Sequence, residues 1–72
     1  MKYINITDTK WHNVLEELPS QTTDVEFLDK ENNIIPNGHI IVDMSGAYAS
    51  LKNGIGYTWT SFDNYVSWRF KL

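Results

Sequence analysis

The sequence predicts an α+β domain: a short N-terminal strand, one amphipathic helix, and a four- to five-stranded antiparallel sheet packed against that helix. Three observations carry the expectation. Apolar residues recur at helical spacing between Trp11 and Leu18, they alternate at strand spacing between Val66 and Leu72, and two Asn-Gly pairs punctuate the stretch between. At 72 residues without a cysteine, the chain is one domain, near the size at which apolar burial alone must sustain a fold.

The elements follow in order. Lys2 to Ile6 sets Tyr3 and Asn5 against Ile4 and Ile6, the alternation of a short opening strand. Thr7-Asp8 offers an N-cap, because a side-chain oxygen there accepts from the unpaired amides of a first turn. Trp11, Val14, Leu15 and Leu18 then stand at i, i+3, i+4 and i+7. Together they make one apolar helical face, opposite His12, Asn13, Glu16 and Glu17. Pro19 ends the helix, having no amide to donate. Val25 and Phe27 alternate with Asp24 and Glu26 as the next strand, and Lys30 to Asn33 is a polar turn. Pro36 keeps Ile34–Pro36 brief or at an edge, and Asn37-Gly38 reads as a tight hairpin. His39 to Met44 is a strand closed by Ser45-Gly46. Asn53-Gly54 joins Tyr48–Leu51 to Ile55–Thr60 in a second hairpin. In the last strand, Val66, Trp68, Phe70 and Leu72 face the core, and Tyr65, Ser67, Arg69 and Lys71 face solvent.

Composition narrows the function. Without cysteine there is no disulfide framework, thiolate zinc site or cysteine nucleophile. Met1 to Ile6 carries no long apolar run, so a cytoplasmic location is expected, with no membrane contact. The sequon Asn5-Ile6-Thr7 is then incidental. Residues 1–36 hold seven acids and three bases, a balance of −4, while residues 37–72 hold two acids and three bases, a balance of +1. No basic stripe exists, so direct nucleic-acid binding is not expected. Seven of the ten aromatics lie between Tyr48 and Phe70, and surplus aromatic surface would favour a homodimer.

Both ends of the chain resemble a small domain family of phage and prophage genomes. The opening Trp11, Val14, Glu17-Leu18-Pro19 and the ending Val66-Ser67-Trp68-Arg69-Phe70 carry the likeness. The middle does not take part. Ser67 stands where that family has histidine, and Phe70 where it has proline. The resemblance implies a phage-like origin, hence a host-cell cytoplasm, and a β-rich fold. It brings no activity with it.

No chemistry assembles from the residues. His12 with Glu16, or His39 with Asp43, would supply a corner of a zinc site, but two histidines in distant elements are few for three or four ligands. Ser45 or Ser50 with His39 and Asp43 would sketch a nucleophile and its base, yet no nucleophile-elbow or phosphate-loop glycine pattern accompanies them. No cofactor is called for. Tyr57, Trp59, Tyr65 and Trp68 invite comparison with a base-stacking platform, which would need more cations than Lys52, Arg69 and Lys71. Their plainer reading is core plus ordinary surface.

The run Glu16, Glu17, Asp24, Glu26, Asp29 and Glu31 is the most suggestive feature, against the alternative of a solvated acidic face. The expectation is therefore a non-enzymatic accessory protein that binds a host protein, such as a defence-system component it would inhibit. Those six acids would form its surface, with Tyr48 and Tyr65 as exposed anchors. The second expectation is a self-associating structural module or phage-particle component, using an apolar sheet face or a free strand edge.

Overall fold

The computed structural model describes all residues, Met1–Leu72. The fold is all-β, not α+β: eight strands and one 3-10 turn, with no α-helix. It follows that no helix is long and apolar enough to cross a membrane. Strand β1 (Lys2–Ile4) pairs in parallel with β3 (Glu17–Pro19). The other six make one antiparallel sheet: β2 (His12–Asn13), β4 (Thr23–Asp29), β5 (Ile34–Asp43), β6 (Gly46–Asn53), β7 (Gly56–Trp59) and β8 (Tyr65–Phe70), in the order β2-β8-β4-β5-β6-β7.

The expected helix at Trp11–Leu18 is replaced by β2, a turn and β3. Eight residues are too few to hold a helix without a matching tertiary face, and the sheet offers the backbone better partners. Asn13 Oδ1 accepts from the Leu15 amide at 2.8 Å, turning the chain as an Asx turn. Val14 N–H donates to Val66 O at 3.1 Å and Lys2 N–H to Glu16 O at 2.9 Å. Burial then departs from the helical stripe: Leu15 is 74% exposed, while His12, assigned to the polar side, is 5% exposed. Asp8 caps no helix, accepting instead from the Lys10 amide at 3.1 Å. Pro19 lies in a two-stranded ribbon that needs little from its nitrogen.

Strand β5 runs through Pro36, Asn37 and Gly38 without turning. Its register against β4 slips between Val25–Gly38 and Phe27–Ile35, so Pro36 and Asn37 together oppose Glu26. That bulge accommodates a proline inside a sheet. Gly38 serves packing, not a hairpin: a Cβ there would lie 2.7 Å from Phe27 Cδ2 and 2.9 Å from the Val25 carbonyl. The second Asn-Gly pair does turn the chain. Asn53 pairs with Gly56, and Gly54 takes φ +63° between them.

The core is Val14, Leu18, Val25, Phe27, Ile40, Ala49, Tyr65 and Trp68. Trp68 opposes Phe27 across β8–β4, and its Nε1–H donates to Glu17 O at 2.8 Å, tying the N-terminal ribbon to the sheet. Tyr65 corrects the expected facing of β8. A second register slip, between Leu28–Ser67 and Asp29–Tyr65, leaves Val66 out of the ladder and 42% exposed. Tyr65 turns inward, stacked on Phe27 at 4.2 Å, with its hydroxyl 3.0 Å from Thr60 Oγ1.

Strand β8 returns beside β4 after a link of residues 60–64 that includes the 3-10 turn Phe62–Asn64. Crossing four flat interstrand steps would take about 19 Å, close to the fully extended reach of that link. A link partly wound into a 3-10 turn therefore requires the sheet to coil. Its concave side holds the core, and its convex side carries Asp24, His39, Ser50 and Trp59 as one cross-strand row.

Candidate functional site

The convex face over β5, β6 and β7 gathers the most unusual exposed residues in the molecule. Register sets Trp59 opposite Ser50 and Tyr57 opposite Lys52, so both aromatics share a face with His39 and Tyr48. The Tyr48 ring meets Trp59 edge-on at 6.1 Å, and the Tyr57 ring lies 4.8 Å from that of His39. Trp59 is 68% exposed, Tyr57 53% and Tyr48 39%. Large aromatic surface left in water on neighbouring strands costs solvation free energy, and in folded domains such patches mark contact sites.

Polar groups hold this face in shape. His39 Nδ1 lies 2.8 Å from Asp24 Oδ1, and Lys52 Nζ is 3.5 Å from the same oxygen. Hydrogen bonding from His39, then the Lys52 charge, keeps the Asp24 carboxyl below its ordinary range. Ser50 is fully buried and its Oγ donates to the His39 carbonyl at 3.0 Å, so it serves the strand pair and not the imidazole. Asp43 is likewise taken up by Ser45, whose Oγ donates to it at 2.6 Å, so no serine–histidine–Asp43 array forms. At Tyr48 the hydroxyl reaches Ser45 Oγ at 2.8 Å, which fixes the ring.

The acidic run does not assemble into one surface. Glu17 Oε1 is 3.2 Å from His12 Nδ1, Glu26 accepts from Arg69 Nε at 2.7 Å, and Asp24 holds His39. Asp29 folds its own turn, accepting from the amides of Glu31 and Asn33 at 2.8 Å each, and those bonds lower its pKa. Only Glu16 and Glu31 have carboxylates with no partner, and they lie in separate exposed turns. Tyr65, expected as an exposed anchor, is in the core; Tyr48 is where an anchor belongs. Arg69 is not a free cation either, lying 4.3 Å over the Trp11 ring.

His12 is the second polar cluster. Buried against Trp68 at 4.7 Å, it has Asp8 Oδ1 2.8 Å from Nε2 and Glu17 on its other nitrogen. The hydrogen bond from His12 is the main cause of the lowered Asp8 pKa. This clamp ties residues 8, 12 and 17 together in the N-terminal segment, and no group of three or more metal-ligating side chains occurs anywhere in the chain.

Sequence reasoning weighed Tyr57 and Trp59 only as a nucleic-acid platform and left them out of the contact set. The signal that places them was present: a two-residue loop after Asn53 puts residues 57 and 59 across from 52 and 50, on the face of Tyr48. No family model, curated protein or solved structure matches the chain.

Proposed function

We propose that the chain is a non-enzymatic protein-binding module whose contact surface is the aromatic face of Tyr48, Tyr57 and Trp59, framed by His39, Asp24 and Lys52. The observation that carries this reading is the exposure of three large aromatics together on one open sheet face, held by the polar contacts around them. Trp and Tyr are the residues that most often anchor protein interfaces, through buried apolar area combined with a polar tip. A nucleic-acid strand would need cations beside the rings, and Lys52, the cation on this face, is already paired with Asp24. Acidic steering contributes little here, since most of the acidic run is neutralised within the fold.

The test is affinity capture from lysate with three baits: wild type, Tyr57→Ala/Trp59→Ala, and Glu16→Lys/Glu31→Lys. The aromatic reading predicts a polypeptide retained by wild type and by the lysine variant at both low and high salt, and lost with the alanine variant. Retention that follows the acidic residues and falls steeply with salt would replace it with an acidic surface.

A further inference from the structure

We propose that the free edge of β7 is a homotypic docking strand, on which two copies of the chain pair antiparallel about a dyad at Thr58. This rests on the reading that the aromatic face is a contact surface, and names a second copy as its occupant.

The edge is open. Strand β7 ends the sheet and pairs only with β6. Thr60 N–H donates to Ala49 O at 3.1 Å. Antiparallel alternation then points the backbone groups of Gly56 and Thr58 inward and those of Tyr57 and Trp59 outward. The devices that normally blunt an edge are missing: Gly56-Tyr57-Thr58-Trp59 has no charge, no proline and no bulge. The opposite edge, β2, is only two residues long.

Symmetry supplies the register. A dyad at Thr58 sets Tyr57 of one copy against Trp59 of the other, and the reverse. Both are outward-pointing residues, so one register satisfies the edge of each strand with about four backbone hydrogen bonds. The same register makes two aromatic cross-strand pairs on the convex face, a favourable pairing, and continues the row begun by Tyr48. Charge does not oppose the approach, because the carboxyl half has two acids and three bases and the unpaired Glu16 and Glu31 lie in the other half. Exposed Trp59, Tyr57 and the fully exposed Ile55 in the adjoining tip, with the strand edge itself, bury on the order of 500 Å² per copy. The total of about 1,000 Å² is at the lower bound of specific interfaces and gives a reversible dimer with a dissociation constant on the order of 100 μM.

Sedimentation velocity between about 10 μM and 1 mM spans that range, with amide hydrogen exchange read on the same samples. The expected result is a mass rising from monomer to dimer while the Tyr57 and Trp59 amides become protected. Trp59→Lys and Tyr57→Pro should both stay monomeric; the second removes an outward amide that the chain's own ladder does not use. A monomer throughout the range would overturn the proposal, as would a dimer whose Tyr57 and Trp59 amides exchange as fast as in the dilute protein. A monomer that still captures a foreign polypeptide through Tyr57 and Trp59 would overturn the edge pairing alone and leave the aromatic face standing.

Discussion

At the β4–β8 end of the sheet, Phe27, Tyr65 and Trp68 are packed ring against ring at 8% exposure or less; at the β6–β7 end, Tyr48, Tyr57 and Trp59 stand 39% to 68% exposed. Residue type does not separate the two sets, since each is one tryptophan with tyrosine or phenylalanine neighbours. Covering does. The N-terminal ribbon closes over Trp68 through its bond to Glu17, and the slip at Val66 rolls Tyr65 onto Phe27. Nothing in the chain covers the convex face at β7. One end of the molecule spends its aromatics on stability and the other holds them available for contact.

Substitutions can break that contrast. The largest effect is expected from Trp68→Ala, which empties the centre of the core and drops the hydrogen bond to Glu17. A loss of about 3–5 kcal/mol in urea unfolding is expected, and a domain of this size would be largely unfolded by it. Gly38→Ala comes next: the added methyl meets the Phe27 ring and the Val25 carbonyl, and a cost of about 1–3 kcal/mol is expected in the same measurement. Were Gly38 a hairpin residue at the surface, the ring would not feel it.

Acid titration sharpens the role of the framing carboxylates. Asp8, Asp24, Asp29 and Asp43 all have pKa values lowered below the ordinary 3.8 by hydrogen bonds made in the folded state. A folded-state pKa below the unfolded one stabilises the fold above the unfolded value, and that contribution is lost as pH falls through the folded values. Stability should therefore fall as pH drops below about 4, and Asp24→Asn should shallow that decline by less than about 1 kcal/mol, because the group is half-exposed. The smallest effect is predicted for Leu15→Ser, within about 0.5 kcal/mol of wild type by thermal unfolding. In a helix with Leu15 on its buried face, removing that side chain would cost about 2–5 kcal/mol.

Much of the sheet was legible in the residues, and the failures have physical causes. Val25 and Phe27, the turn at Asn53-Gly54 and the inward Trp68 follow from period-two alternation and turn chemistry, which act locally. Trp11, Val14, Leu15 and Leu18 match a helix only by spacing; whether the backbone bonds to itself or to Val66 and Lys2 is decided by partners distant in sequence. Pro36 and Gly38 were misread for the same reason, because the bulge opposite Glu26 and the Phe27 ring supply their explanation. Tyr65 failed by one residue, since a single slip at Val66 reverses the facing of the strand before it. The candidate site was half legible. Tyr48 was placed on the surface and Asp24 among the contact residues. The acids, however, could not be seen to spend themselves on His12, Arg69 and the Asp29 turn until the sheet brought those groups together.

The most direct test of the division between the two ends is Trp59→Ala, with unfolding free energy and polypeptide retention measured on the same preparation. Stability within about 0.5 kcal/mol of wild type together with loss of the retained polypeptide is the predicted result. A loss of more than about 2 kcal/mol with retention unchanged would show that Trp59 belongs to the core and contradict the account.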